Sequence, residues 1–202
     1  MFVQVFQGRV SDPAQVRAEL EKWVAEIAPQ AIGWLGSTVG VTDDGQLVGV
    51  ARFESEDAAR QNSERPEQGA WWEGMAALFT EEPVFHNSTG VELDTTGDPG
   101  QAGFVQVMQG RTSDPARSRE LIAADPVDWA TFRPDILGSL YLTHEEDGWT
   151  MVNYFTSEAA AREGEQKEPP PELQEMMGEM DKLSIGEPTF LDLKDPWLHA
   201  PT

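Results

Sequence analysis

The chain has 202 residues, enough for one large domain or two of about a hundred residues each. Hydrophobic residues make up 39% and tryptophan occurs seven times, which supplies a packed core and excludes wholesale disorder. Asp and Glu outnumber Lys and Arg 36 to 14, a formal charge of −22, which excludes nucleic acid and anionic membrane as partners because both need clustered basic side chains.

The opening segment, Phe2-Val3-Gln4-Val5-Phe6-Gln7, alternates and predicts a strand rather than a signal peptide. Ser11 or Asp12 followed by Pro13 reads as an N-cap with proline in the first turn. Val16, Leu20, Trp23, Val24 and Ile27 then recur at helical spacing up to Pro29. Trp34 to Val41 and Leu47 to Phe53 predict two strands joined by a hairpin turn at Asp43-Asp44-Gly45. Ser55 caps a short helix through Ala58, Ala59 and Arg60. A second helical stretch follows Pro66 and carries Trp71, Trp72, Met75, Leu78 and Phe79. Pro83 to Val91 closes the unit as a last strand, giving β-α-β-β-α-β.

That plan then repeats. Residues 2–14 return 102 positions later as residues 104–116, with eleven of 13 positions identical. The same offset pairs Leu35-Gly36-Ser37 with Leu137-Gly138-Ser139 and Ala58-Ala59-Arg60 with Ala160-Ala161-Arg162. Residues 1–102 carry 17 acidic and 6 basic residues and residues 103–202 carry 19 and 8, so each half is −11. The expected organisation is a first repeat over 1–93, a flexible linker over 94–103 and a second repeat with a C-terminal tail over 104–202. In the second repeat, Asp125-Pro126 interrupts the first helix, and Pro169-Pro170-Pro171 precedes the second, whose Met176, Met177 and Met180 read as a core stripe.

A β-α-β-β-α-β unit is an antiparallel sheet with both helices on one face, so the other face is bare. Leaving it in water would cost several kcal/mol at about 25 cal/mol per Å². The expected α+β fold is therefore two ferredoxin-like repeats whose sheets pack face to face, an intrachain pseudo-dimeric barrel acting as a monomer.

The opening strand, the Phe53-Glu54-Ser55-Glu56-Asp57-Ala58-Ala59 junction, its copy Phe155-Thr156-Ser157-Glu158-Ala159-Ala160-Ala161 and the aromatic second helix resemble the dimeric α+β barrel superfamily, in its antibiotic-biosynthesis-monooxygenase-like branch. That resemblance implies homodimers of single units among the relatives, and cofactor-independent oxygenation of aromatic polyketides or haem degradation among their activities. Haem-degrading relatives carry an Asn on the first strand, where this chain has Gln4 and Gln7, so those roles are not transferred. The Trp and Asn of the monooxygenase-type relatives correspond most nearly, by position, to Trp72 and Asn62.

Polar groups beside aromatic walls make a small-molecule pocket. The candidates are Asn62, Arg65, Trp71, Trp72 and His86, with Arg65 or His86 stabilising a phenolate or enolate. The corresponding stretch of the second repeat, Gln166-Lys167-Glu168-Pro169-Pro170, has no such cluster, which places the expected site in the first repeat. The competing reading is that one of Trp71 and Trp72 is core and the other partly exposed, with Arg65 in a surface ion pair with Glu64 or Glu67. His144-Glu145-Glu146 reads as a solvated turn and His199 as an exposed tail residue. The Gln4/Gln106 and Gln7/Gln109 pairs, with Arg9 and Arg111 bound to carboxylates such as Asp12 and Asp114, read as structure. No metal site and no cofactor motif are expected. With no cysteine and no long apolar run, the expected location is cytoplasmic. The expected activity is small-molecule binding, as a cofactor-independent monooxygenase-like enzyme on an aromatic substrate or as a non-catalytic binding or assembly module.

Overall fold

The computed structural model describes residues 1–201. They form two compact units, residues 1–89 with 195–201, and residues 90–194. The first unit is built from β1 (Phe2–Arg9), α1 (Pro13–Glu26), β2 (Trp34–Val41), β3 (Gln46–Phe53), α2 (Glu56–Ser63), α3 (Pro66–Ala76) and β4 (Val84–Ser88). The second contains β5 (Val91–Asp94), β6 (Phe104–Arg111), α4 (Pro115–Ala123), α5 (Trp129–Phe132), β7 (Ile136–His144), β8 (Gly148–Phe155), α6 (Glu158–Gly164), α7 (Pro171–Leu183) and β9 (Thr189–Leu193). A last strand, β10 (Trp197–His199), belongs to the first unit. The sheets are antiparallel and run β10-β2-β3-β1-β4 and β5-β7-β8-β6-β9. The α+β, doubly ferredoxin-like architecture is the expected one.

Local chemistry places the elements. Asp12 caps α1 by accepting from Ala14 and Gln15 N–H at 3.0 and 3.1 Å, ahead of Pro13. Gly45 takes φ +86° in the hairpin between β2 and β3, a conformation that glycine adopts without a Cβ penalty. Asp125-Pro126 separates α4 from α5, as expected.

Several expectations are corrected at the ends. The closing strand of the first repeat is split: β4 pairs with β1, whereas β5 leaves it and pairs with β7, Val91 opposite Leu142. The segment expected as a flexible linker is held, with Thr96 Oγ1 donating to Ile136 O at 2.5 Å and Gly97 N–H to Leu137 O at 2.9 Å. The tail is also a strand, β10, with His199 half-buried opposite Ser37. Both additions satisfy the bare hydrogen-bonding groups of an otherwise open sheet edge. Arg9 and Arg111 bind Asp44 and Asp147 of the hairpin turns, not the helix-capping aspartates, which are occupied by backbone N–H groups.

In both sheets the side away from the helices is buried, and in the first unit the helix-facing side is buried as well. In the first unit the helix-facing side packs Phe2, Phe6, Trp34, Leu47 and Phe53 against Val16, Leu20, Trp23, Trp71 and Met75. The opposite side, Val3, Val5, Val48 and Val50, is buried as well. Val105, Val107, Leu140, Leu142 and Val152 are buried on the equivalent side of the second sheet.

Candidate functional site

The five residues singled out in the first repeat do not converge on one space. Asn62, buried near the end of α2, accepts from Arg65 Nη1 at 3.1 Å, and Arg65 pairs with Glu67 at 2.7 Å. The backbone N–H of Glu67 and the Arg65 guanidinium hold the Glu67 carboxyl below its ordinary range. Trp71 is core, its indole N–H donating to Glu19 O at 2.8 Å. Trp72 lies edge-on to Phe6 at 5.7 Å and tilted on Phe85 at 5.3 Å. His86 follows Phe85 on β4, and strand alternation turns it to the face away from Trp72. The helix-facing interior of this unit is filled by its own aromatic side chains.

The second unit uses the same positions differently. At the 102-residue offset, Val16, Val39, Val41 and Ala51 become Ser118, Tyr141, Thr143 and Asn153. All four lie on the side of the unit that holds its helices: Ser118 on α4, and Tyr141, Thr143 and Asn153 on the helix-facing side of β7 and β8. Phe6 and Gly49 become Met108 and Met151, opposite one another in register as their counterparts are. Gly49 is required where it stands, since a Cβ there would lie 2.1 Å from Phe6 Cζ; the flexible Met pair replaces that locked pair. Trp149 takes the place of Leu47 and stacks on Tyr141 at 6.1 Å. Met108, Trp149 and Met151 remain partly accessible, whereas Phe6, Leu47 and Gly49 are buried. One buried cluster on the helix side of this unit consists of Phe104, Ile136, Phe155 and Ala161.

The polar groups form a graded set. Ser139 Oγ donates to Asn153 Oδ1 at 2.8 Å, and Asn153 Nδ2 points to Met108 Sδ at 3.8 Å. Gln106 binds Asp192 at 2.9 Å, and Asp192 also pairs with Arg162. Tyr141 is 2% exposed and its hydroxyl has no hydrogen-bond partner among the described residues. Burial pushes its pKa up, against the opposing influence of Ser118 and Arg119 beside it, so the phenol stays protonated. Ser118 Oγ is already shared with Thr112 Oγ1 at 2.8 Å.

No known family model matches the chain, and no curated protein matches it. Solved structures do. A candidate monooxygenase from Lactobacillus acidophilus superposes with a TM-score of 0.74 at 13% identity, over 98% of each chain. A candidate monooxygenase from Fusobacterium nucleatum subsp. nucleatum gives 0.76 at 10% identity, covering 98% of this chain and 94% of that one. An anthrone oxidase-like protein gives 0.65 at 13% identity, covering 98% and 92%. This chain carries the antibiotic-biosynthesis-monooxygenase-like ferredoxin fold, in tandem.

Within that fold the remaining sequence candidates take structural places. His144 is buried rather than in a solvated turn, bonded through Nδ1 to Glu145 and through Nε2 to Thr150 Oγ1 at 2.9 Å. Thr150 also accepts from Gln109 Nε2 at 3.2 Å. These groups lie on the sheet face away from Tyr141, because β7 and β8 alternate. Met177 is 48% exposed and Met176 and Met180 are partly buried, so the methionines of α7 are no sealed core stripe. No helix of the described residues is long and apolar enough to cross a membrane. The residues that direct reading missed, Ser118, Tyr141, Trp149 and Asn153, are scattered through the second repeat. Their signal was the repeat itself, since each stands where the first copy keeps an apolar residue.

Proposed function

We propose that the helix-facing side of the second unit's sheet binds an aromatic small molecule and supports a cofactor-independent, monooxygenase-type reaction on it. The observation that carries this reading is the replacement of Val16, Val39, Val41 and Ala51 by Ser118, Tyr141, Thr143 and Asn153 in a duplicated scaffold. The first copy defines what the fold requires at those positions. Polar groups in such an interior cost about 1–3 kcal/mol each where they lack partners. Tyr141 meets that description. A substrate stacked along Trp149, with its oxygen atoms toward Asn153 and Ser139, would use them.

The chemistry asked of the chain is modest. An activated phenolic substrate, as its phenolate or enolate, reduces dioxygen itself: a ring CH₂ becomes C=O, one oxygen atom enters the product and the other leaves as water with the two hydrogens. The protein's part is to hold the substrate anion, orient it and exclude bulk water. The first unit, with its filled interior, is read as a scaffold of the same fold.

Oxygen uptake with an anthrone, followed beside tryptophan fluorescence, tests the reading. Restoring the first copy's residues, Trp149→Leu with Asn153→Ala, should abolish both quenching and uptake, while Trp72→Leu should leave both in place. Unchanged binding in the double variant overturns the assignment to the second unit.

A further inference from the structure

The ten arginines of this acidic chain offer a test of where a positive charge is kept for something other than a carboxylate of its own. Eight of them, Arg9, Arg17, Arg60, Arg65, Arg111, Arg117, Arg133 and Arg162, form ion pairs with Asp or Glu. Arg52 and Arg119 form none among the described residues. With 36 acidic residues available, an arginine without one is exceptional.

Arg119 is the informative case because the repeat supplies its control. Its counterpart on α1, Arg17, pairs with Glu21 at 3.3 Å and with Asp195 at 2.9 Å. The counterpart of Glu21 is Ala123, so the intrahelical partner has been removed while the arginine has been retained. The Nε of Arg119 is buried without a hydrogen-bond partner. Gly90 gives the guanidinium room: a Cβ there would lie 2.6 Å from Arg119 Nη1 and 3.1 Å from Thr143 Oγ1. Tyr141 stands beside the same group and, held protonated by burial, cannot act as its counter-ion. Arg119 thus carries an uncompensated charge next to Thr143 and Tyr141, two of the four positions that distinguish the second interior, and Tyr141 stacks on Trp149.

We infer that Arg119 is the anchor for a carboxylate borne by the aromatic ligand, so that the second unit takes an aromatic acid rather than a neutral ring system. A planar guanidinium matches a carboxylate in a two-point contact that neither a hydroxyl nor an ester reproduces. The strongly negative chain repels free anions at long range, which makes a local, partly desolvated arginine the means of admitting one selectively. This inference rests on the proposed binding site in the second unit and adds the class of ligand.

The test uses 2-naphthoate and methyl 2-naphthoate, titrated into the 202-residue protein and followed by tryptophan fluorescence and calorimetry. The unaltered protein should bind the acid more tightly than the ester by about tenfold or more, the scale of a hydrogen-bonded charge pair. Arg119→Gln should bring the two affinities together by weakening the acid alone, Arg119→Lys should restore part of the difference, and Arg52→Gln should leave the preference intact. Equal binding of acid and ester by the unaltered protein overturns the carboxylate anchor and leaves the aromatic site standing, whatever the variants do. Failure of both probes to bind overturns the site and the anchor together. A preference for the acid that survives Arg119→Gln in a variant still binding the ester also overturns the assignment.

Discussion

Tyr141→Phe should make this protein more stable. The substitution removes one hydroxyl that is sealed from solvent and has no partner among the described residues, and it leaves the ring and its stacking on Trp149 in place. In the unfolded chain that hydroxyl is hydrogen-bonded to water, so folding strips a polar group of its partners at a cost of about 1–3 kcal/mol. Deleting it should therefore recover about 1 kcal/mol or more, which for a chain of this size raises Tm by about 2–4 °C per kcal/mol. Urea unfolding followed by circular dichroism is the assay, with the midpoint rising at unchanged slope. The hydroxyl of Ser118, which lies beside Tyr141 and opposes the rise of its pKa, is bonded to Thr112. A Tyr141→Phe variant destabilised by about 1 kcal/mol, the usual loss for a made hydrogen bond, would refute the reasoning. It would show that the phenol is satisfied within the protein and needs no ligand.

Other outcomes follow from the same geometry. Gly49→Ala should destabilise the first unit by about 1–3 kcal/mol through overpacking against Phe6, and Phe6→Met, which reproduces the second unit's choice, should relieve much of it; thermal unfolding of the single and double variants checks the coupling. Burial lowers the pKa of His199 below its ordinary 6.5, so the unfolded chain binds the proton more readily and stability should rise as pH rises towards 6.5 and level off above it. His199→Asn should flatten that limb in pH-dependent denaturation. Removing residues 195–202 uncovers the β2 edge and should promote self-association, read as a concentration-dependent mass in light scattering. With Val3, Val5, Val48 and Val50 of one sheet and Val105, Val107, Leu140, Leu142 and Val152 of the other already buried within one chain, the 202-residue protein should scatter as a monomer of 22.3 kDa; a stable dimer would contradict that.

The repeat, the strand and helix order and the hairpin turn were legible because each follows from a local rule: alternation at Phe2–Gln7, helical spacing at Val16, Leu20 and Trp23, and a positive-φ glycine at Gly45. The splitting of the last strand and the strand at Trp197–His199 were not, because pairing partners far along the chain decide which short segment covers a sheet edge, and runs of three or four residues do not announce it. The first-repeat candidates show a related limit. Asn62, Arg65 and Trp72 are adjacent in sequence and look like a pocket, but buried polar pairs such as Asn62–Arg65 satisfy themselves. Ser118, Tyr141 and Asn153 are ordinary residues in isolation. They become informative only against Val16, Val39 and Ala51, where the other copy shows that the fold is content with an apolar side chain.

The central claim is that duplication left one interior closed and opened the other. Fluorine NMR of 5-fluorotryptophan-labelled protein, with each resonance assigned by Trp→Phe substitution, reports on both interiors at once. Saturation with 2-naphthoate should shift Trp149 while Trp23, Trp34, Trp71 and Trp72 stay where they are. A shift confined to Trp72 and its neighbours, with Trp149 unmoved, would return the site to the first repeat and contradict the account.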